Sequence, residues 1–319
     1  MDFACWRLQW SALRFLKTKI LLFLAVSLVT SVIGWRISTR WLQRSPLADH
    51  PRLRAGVEMR DITFFSESLH RKMQYRVFTP AREGKQRLPV VYLLHGGGDE
   101  GLRSWSNDSD VAQFASRGLF LVMPQGDYSY YVNAVLRAQD RYEDYIMNDL
   151  SVDVAQRFQV RDDRAGRAIV GVSMGGFGAV NLALRHSDRF AFAGALSPAV
   201  DVPRRRFTWR RLDQSKHFRE IFGPEDGDGR HNNDPFVLAR KADPSSTPYF
   251  YLACGQSEGL LAPNRAFAGL LDRYGIAHEF HTVPGGHDWN QWNAQLAGLF
   301  DALARYLSLP RLNQLTGPQ

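Results

Sequence analysis

Residues 171–175 read Gly-Val-Ser-Met-Gly, a G-x-S-x-G run between the apolar stretch Ala168–Val172 and a Gly/Ala-rich stretch. Small residues around a serine permit a sharp strand-to-helix turn. Such a turn lifts the Ser173 hydroxyl above a sheet, at the positive end of the following helix. On the elbow alone, an incidental serine in a glycine-rich turn is a competing reading. A serine hydroxyl becomes a nucleophile at neutral pH only when a base takes its proton, so the question is whether the chain also supplies a base and an acid.

It supplies both, each where an apolar run ends. Tyr249–Ala253 leads into Cys254-Gly-Gln-Ser-Glu258, and Glu279–Val283 leads into Pro284-Gly-Gly-His287-Asp288-Trp289. His287 is the candidate base, taking the Ser173 proton and returning it to a leaving alcohol. Glu258 is the candidate acid that fixes the imidazole tautomer. Asp288 competes for that role, but an adjacent side chain reaches its neighbour's ring poorly, and it is expected to bond the loop backbone. His278 and His281 are read as structural. Developing negative charge on a substrate oxygen needs fixed donors. The N–H of Met174, the residue after the nucleophile, is one candidate. The run His95-Gly96-Gly97-Gly98 after an early apolar stretch supplies the other, assigned to Gly97. His95 itself is read as a buried hydrogen-bonding residue under that loop.

These residues need a sheet to hold them. Val57–Phe65 and Lys72–Thr79 read as a hairpin. Short apolar runs at Leu88–Leu94, Gly118–Met123, Ala168–Val172, Phe192–Leu196, Tyr249–Ala253 and Glu279–Val283 read as buried strands. Helical patterns over Asp110–Arg117, Tyr142–Phe158, Gly176–His186, Pro263–Tyr274 and Trp289–Leu307 separate them. This alternation predicts an α/β fold with a mostly parallel central sheet and helices on both faces. Sites in such folds form at the carboxyl ends of the strands, which is where all the candidate residues fall. Residues 201–246 are polar and Arg-rich and break the rhythm, as an inserted cap over that edge would.

Taken together, HGGGD (95–99), GVSMGGFGA (171–179), the Cys-Gly-x-x-acid loop (254–258) and PGGHDWNQW (284–292) resemble an esterase family of α/β-hydrolases. That family includes esterase D, S-formylglutathione hydrolase, tributyrin esterases, feruloyl esterases and the mycolyltransferases. The resemblance covers residues 57–308. It implies an α/β-hydrolase fold and serine chemistry on carboxylic esters without a metal or organic cofactor. The family's acid is usually Asp; Glu at 258 matches the mycolyltransferases. The run GIAHEFHTVPGGHDWNQWN (275–293) is most similar to the small-ester, tributyrin-type members. The leading expectation is therefore a serine carboxylesterase acting on short-chain or aryl esters through an acyl-serine. An acyltransferase passing the acyl group to a sugar or lipid alcohol is the alternative, and a non-catalytic binding protein on the same scaffold is a third reading.

The net charge of +8 is unevenly placed. Residues 1–60 carry ten Lys/Arg against three Asp/Glu; the other 259 carry thirty against twenty-nine. A basic face on the folded body is what nucleic-acid binding requires, so no nucleic-acid partner is expected. Residues 20–35 form sixteen uncharged, mostly apolar positions flanked by basic residues. The segment 1–36 reads as a signal anchor, with a cleaved signal peptide as the alternative. Residues 37–56 come next as a basic linker, then 57–319 as the catalytic domain. The expected location is a single-pass membrane protein with its catalytic domain outside, or a secreted one if the signal is cleaved. Two features remain open. The tyrosines of residues 126–145 either wall an acyl pocket or pack a loop. The arginines at 204–206, 210 and 211 either meet an anionic ligand or form a solvated face. Asp226-Gly-Asp228-Gly lacks the spacing of a calcium loop. Cys5 and Cys254 imply no disulfide framework, and Cys254 reads as a small buried apolar residue.

Overall fold

A computed structural model describes residues 48–81, 86–98 and 100–307, together with Ser27 and Thr30. The chain divides into two units, Met1–Ala48 and Asp49–Gln319. In the first, Ser27 and Thr30 are helical, and the Thr30 hydroxyl donates to the Ser27 carbonyl at 3.0 Å. The expected N-terminal hydrophobic helix otherwise lies outside the described residues. Among the described residues, no helix is long and apolar enough to cross a membrane.

The second unit is built on one eight-stranded sheet in the order β1-β2-β4-β3-β5-β6-β7-β8. The strands are β1 (Val57–Ser66), β2 (Arg71–Pro80), β3 (Val90–Leu94), β4 (Phe120–Pro124), β5 (Arg167–Val172), β6 (Phe192–Leu196), β7 (Tyr249–Gly255) and β8 (His278–Val283). The β1–β2 hairpin is antiparallel and joins β4 antiparallel; every pairing from β4 to β8 is parallel. Each strand expected from sequence is present. The leading residues Leu88 and Gly118 fall outside the ladder; Leu88 instead forms a lone bridge to Val160.

The helices are α1 (Ser151–Arg157), α2 (Met174–Arg185), α3 (Leu212–Phe222), α4 (Pro235–Lys241), α5 (Leu261–Arg273) and α6 (Trp289–Tyr306), with shorter turns between. The helix expected over 142–158 is not uniform: Tyr145–Leu150 is π-helical between helical turns at Tyr142–Asp144 and α1. The pattern at Asp110–Arg117 yields only the single turn Ala112–Ala115.

Alternation within β3 shows how the core is divided. Val90, Tyr92 and Leu94 point into one apolar cluster and Val91 and Leu93 into the other, one on each face of the sheet. This is what buries a strand on both sides and makes it read as continuous apolar sequence. Residues 49–56 are tied to the sheet by buried Arg76, which bonds Asp49 at 2.6 Å and Asp61 at 2.7 Å.

The strand order locates the site. From β3 the chain moves outward to β4, then returns to place β5 on the other side of β3. The β3 and β5 loops therefore diverge at a topological switch point, where a crevice opens at the carboxyl ends of the strands.

Candidate active site

Ser173 caps the N-terminus of α2 with φ 54° and ψ −112°, a conformation that costs an L-residue about 1–3 kcal/mol. The surroundings enforce it. The Ser173 N–H donates to the Leu196 carbonyl at 2.9 Å, and its own carbonyl accepts from Phe177 N–H at 3.0 Å. The flanking glycines are required by contact as well as by the turn. A Cβ at Gly171 would lie 2.1 Å from the Gly175 carbonyl oxygen, and one at Gly175 would lie 2.2 Å from the Leu94 carbonyl oxygen. The second contact presses α2 onto the end of β3, bringing the glycine loop beside the serine; a Cβ at Gly96 would sit 3.5 Å from that of Ser173.

The candidate base and the candidate acid arrive from the next strands. His287 Nε2 lies 2.8 Å from Ser173 Oγ, and His287 Nδ1 lies 2.7 Å from Glu258 Oε2. The Glu258 side chain is 1% exposed and that of His287 39%, so the buried acid backs a base open to incoming groups. Burial pushes the Glu258 carboxyl upward. Hydrogen bonds from His287, Ser197 and the Gly255 N–H outweigh it and hold the group below its ordinary value. Its second oxygen, Oε1, accepts from Ser197 Oγ at 2.6 Å and from Gly255 N–H at 2.7 Å. A carboxylate with both oxygens engaged stays ionised and cannot rotate, which fixes the proton on His287 Nδ1 and leaves Nε2 facing the serine.

Ser197 and Trp292 are the residues that sequence reading missed. Ser197 lies beyond β6 at φ 49° and is fully buried. Its oxygen accepts from the Trp292 indole N–H at 3.0 Å while its hydroxyl donates to Glu258. The Trp292 ring meets the His287 imidazole edge-on, centroids 5.1 Å apart. One residue thus supports the base by ring contact and the acid through Ser197. A serine directly following a buried strand of the same sheet, at Leu196-Ser197-Pro198, was the available signal.

The remaining candidates have other roles. Asp288 caps α6, accepting from Gln291 N–H at 3.1 Å. His278 donates from Nδ1 to the Ile276 carbonyl at 3.0 Å, and His281 pairs with Glu279 at 2.9 Å. His95 is buried, and burial lowers its pKa. Its Nδ1 bonds the Gly96 carbonyl at 2.7 Å and its Nε2 accepts from Gly126 N–H at 2.9 Å, so both ring nitrogens are committed to the backbone. Cys254 is buried and its thiol is pushed up to about 12, chiefly by burial, which makes it unreactive. Beside the glycine loop, the Tyr128 ring occupies the space a Cβ at Gly97 would need, 2.3 Å away. Among the described residues, no group of three or more His, Cys, Asp or Glu side chains is arranged to hold a metal ion.

Residues 66–303 match the family described as Putative esterase. The chain belongs to that family of esterases. It is 26% identical over 231 residues to an acetyl esterase of Caldicellulosiruptor saccharolyticus, covering 69% of this chain and 85% of the relative. It is also 25% identical over 292 residues to the diacylglycerol acyltransferase/mycolyltransferase Ag85B of Mycobacterium leprae, covering 81% and 87%. Among solved structures, FphF, a fluorophosphonate-binding serine hydrolase of Staphylococcus aureus, superposes with a TM-score of 0.68 at 23% identity, covering 78% of this chain and 99% of that one. At that identity the likeness establishes the α/β-hydrolase fold.

Proposed function

We propose that this esterase-family member is a carboxylesterase that hydrolyses short-chain or aryl esters through an acyl-Ser173 intermediate. The observation that carries the reading is the continuous hydrogen-bonded chain Ser173 Oγ–His287–Glu258, at 2.8 and 2.7 Å. Ser173 Oγ attacks the ester carbonyl carbon as its proton passes to His287 Nε2. The carbonyl oxygen becomes an oxyanion received by the N–H groups of Gly97 and Met174. Collapse breaks the carbon–oxygen bond of the alcohol, which leaves with the proton from His287. A water then gives its proton to His287 and attacks the acyl carbon, and Ser173 is released with the free acid. The similarity to an acetyl esterase supports a small acyl group.

A second reading, transfer of the acyl group to a sugar or lipid alcohol, is favoured by the similarity to Ag85B over most of both chains. The two part at the second step, where an alcohol replaces water. Labelling by a fluorophosphonate probe, lost in Ser173→Ala, is the expected result for either. Equal labelling of the variant would sink both. A chain-length series of aryl esters, run with and without added alcohols, then separates them: free acid as sole product supports hydrolysis, and acceptor-dependent rates with ester products support transfer.

We further propose that residues 57–319 form the catalytic domain, with 49–56 packed onto it and 201–246 as a cap, and that residues 20–35 anchor it at a membrane with the domain outside. Support for the anchor rests on the uncharged apolar run and its basic flanks. Retention of the full chain in the membrane pellet after alkaline carbonate extraction is expected; release into the supernatant would favour the cleaved-signal alternative.

A further inference from the structure

Three large apolar side chains stand exposed within six residues between β6 and the start of α3. Phe207 is 48% exposed, Trp209 81% and Leu212 49%. Contiguous exposed apolar side chains of this size mark an interaction surface more often than chance exposure does. The Phe207 and Trp209 rings meet edge-on, centroids 4.9 Å apart, and form a two-ring ridge. The segment behind the ridge is held. The Phe207 N–H donates to the Glu225 carboxylate, and the Thr208 N–H to Ser215 Oγ at 3.2 Å.

The charge around the ridge specifies its partner. Arg204 and Arg205 are engaged by Asp234 at 2.7 Å and Asp201 at 2.9 Å. Arg206, Arg210 and Arg211 are exposed, and Arg210 and Arg211 make no ion pair among the described residues. Beside Phe207 opens a recess of about 230 Å³ where Arg206, Arg219 and Arg230 face one carboxylate, Glu225. Arg230 is buried there, its Nη1 held by the Pro203 and Arg205 carbonyls at 3.0 and 2.7 Å and its Nε by the Gly223 carbonyl at 3.4 Å, none of which carries a full negative charge.

We propose that this ridge docks on an anionic lipid membrane. Phe207, Trp209 and Leu212 enter the boundary between headgroups and acyl chains, where aromatic and apolar side chains partition. Arg206, Arg210 and Arg211 meet the phosphates, and the recess receives a headgroup phosphate in the fork geometry that exposed Arg219 offers. A second copy of the chain is a poorer occupant, since a two-fold contact would set the same arginines against each other. The surface belongs to the second unit, and its assignment does not depend on how residues 20–35 are read.

The test uses the full chain with vesicles of phosphatidylcholine, alone or with phosphatidylglycerol, read by hydrogen–deuterium exchange of the amides of residues 206–212. Exchange is expected to slow by about tenfold on the anionic vesicles relative to the neutral ones, and to recover at high salt. In the double variant Phe207→Ser/Trp209→Ser the protection is expected to vanish, while hydrolysis of a water-soluble ester continues and reports the fold intact. Equal exchange on both vesicle types, or protection that survives the double substitution, overturns the proposal. Protection that grows with protein concentration without vesicles assigns the ridge to a second copy and also overturns it.

Discussion

The Glu258 corner and the 201–246 segment both lie beyond the carboxyl ends of strands, yet they spend their polar groups in opposite ways. At the corner, buried Glu258 takes bonds from three neighbours, and Ser197 and Trp292 exist to supply or support them. In residues 201–246, Arg206, Arg219 and Arg230 share one recess with a single carboxylate, Glu225, and the rings of Phe207 and Trp209 face outward. Over-determined polar groups in a dry corner fix geometry, which general-base chemistry needs. Unpaired arginines and exposed rings, as at residues 206–212, create affinity for something outside the fold. Substitutions in the two regions should therefore differ both in size and in what they change.

The largest effect is expected at the base. His287→Ala should lower kcat by about 10⁴–10⁶-fold, as removal of one member of a cooperating triad does. The check is steady-state hydrolysis of an aryl ester with circular dichroism to confirm the fold; a loss below tenfold would remove His287 from the mechanism. Glu258→Gln keeps the shape but loses the charge and turns an acceptor into a donor toward His287. A fall in kcat of about 10³–10⁴-fold with KM little changed is expected. Should Asp288→Asn prove the more damaging, the acid assignment would move to the helix cap.

The elbow carries the next effect, on stability. In Gly175→Ala the added methyl would lie 2.2 Å from the Leu94 carbonyl oxygen and 2.6 Å from that of His95, both rigid backbone. A loss of about 1–3 kcal/mol or more, with activity falling alongside, is expected from overpacking of this kind. Urea denaturation measures it, and an unchanged midpoint would show that α2 can shift off β3.

The range of each interaction decides how much of it the sequence reveals. The strands are legible because burial on both faces leaves runs such as Leu88–Leu94 and Ala168–Val172 with no polar break. The serine, the histidine and the acid are legible because each comes directly after such a run, and parallel strands deliver their trailing loops to one sheet edge. Ser197 does not stand out, because its partners lie 61 and 95 residues away and no local pattern announces them. The π-helical turn at Tyr145–Leu150 is equally hidden, since a shift in backbone pairing leaves the apolar spacing nearly intact. Residues 201–246 show only composition: α3 and α4 lie in a stretch whose Arg-rich sequence reads as an interruption.

Ser197→Ala sharpens the comparison at intermediate cost. It removes a bond to a charged group and leaves the Trp292 N–H without its acceptor, together about 1.5–3 kcal/mol of stability. Because the folded Glu258 carboxyl sits below its ordinary value, this network stabilises the fold fully above that value of 4.5 and loses its contribution as pH falls through the folded one. Urea midpoints of wild type and variant should therefore differ at pH 7, and the gap should narrow as the solution is acidified below 4.5, leaving the part due to the Trp292 N–H. A constant gap across that range would mean that Ser197 acts by packing alone.

The smallest effect is expected at Tyr128, between the glycine loop and α3. Tyr128 is 41% exposed, lies against Gly97 and stacks on His217 of α3, centroids 4.6 Å apart. His217 also bonds the Tyr128 carbonyl at 2.7 Å, so the ring's backbone stays anchored when the ring is removed. If the ring forms a wall for the acyl or aryl group, Tyr128→Leu should raise KM for aryl esters by about two- to tenfold, the worth of one aromatic contact, with kcat and acetyl-ester kinetics unchanged. A fall in kcat at constant KM would instead place the ring's role on Gly97, holding the glycine loop in register with Ser173. His217 of α3 would then help to fix the glycine loop, as Ser197 and Trp292 fix Glu258.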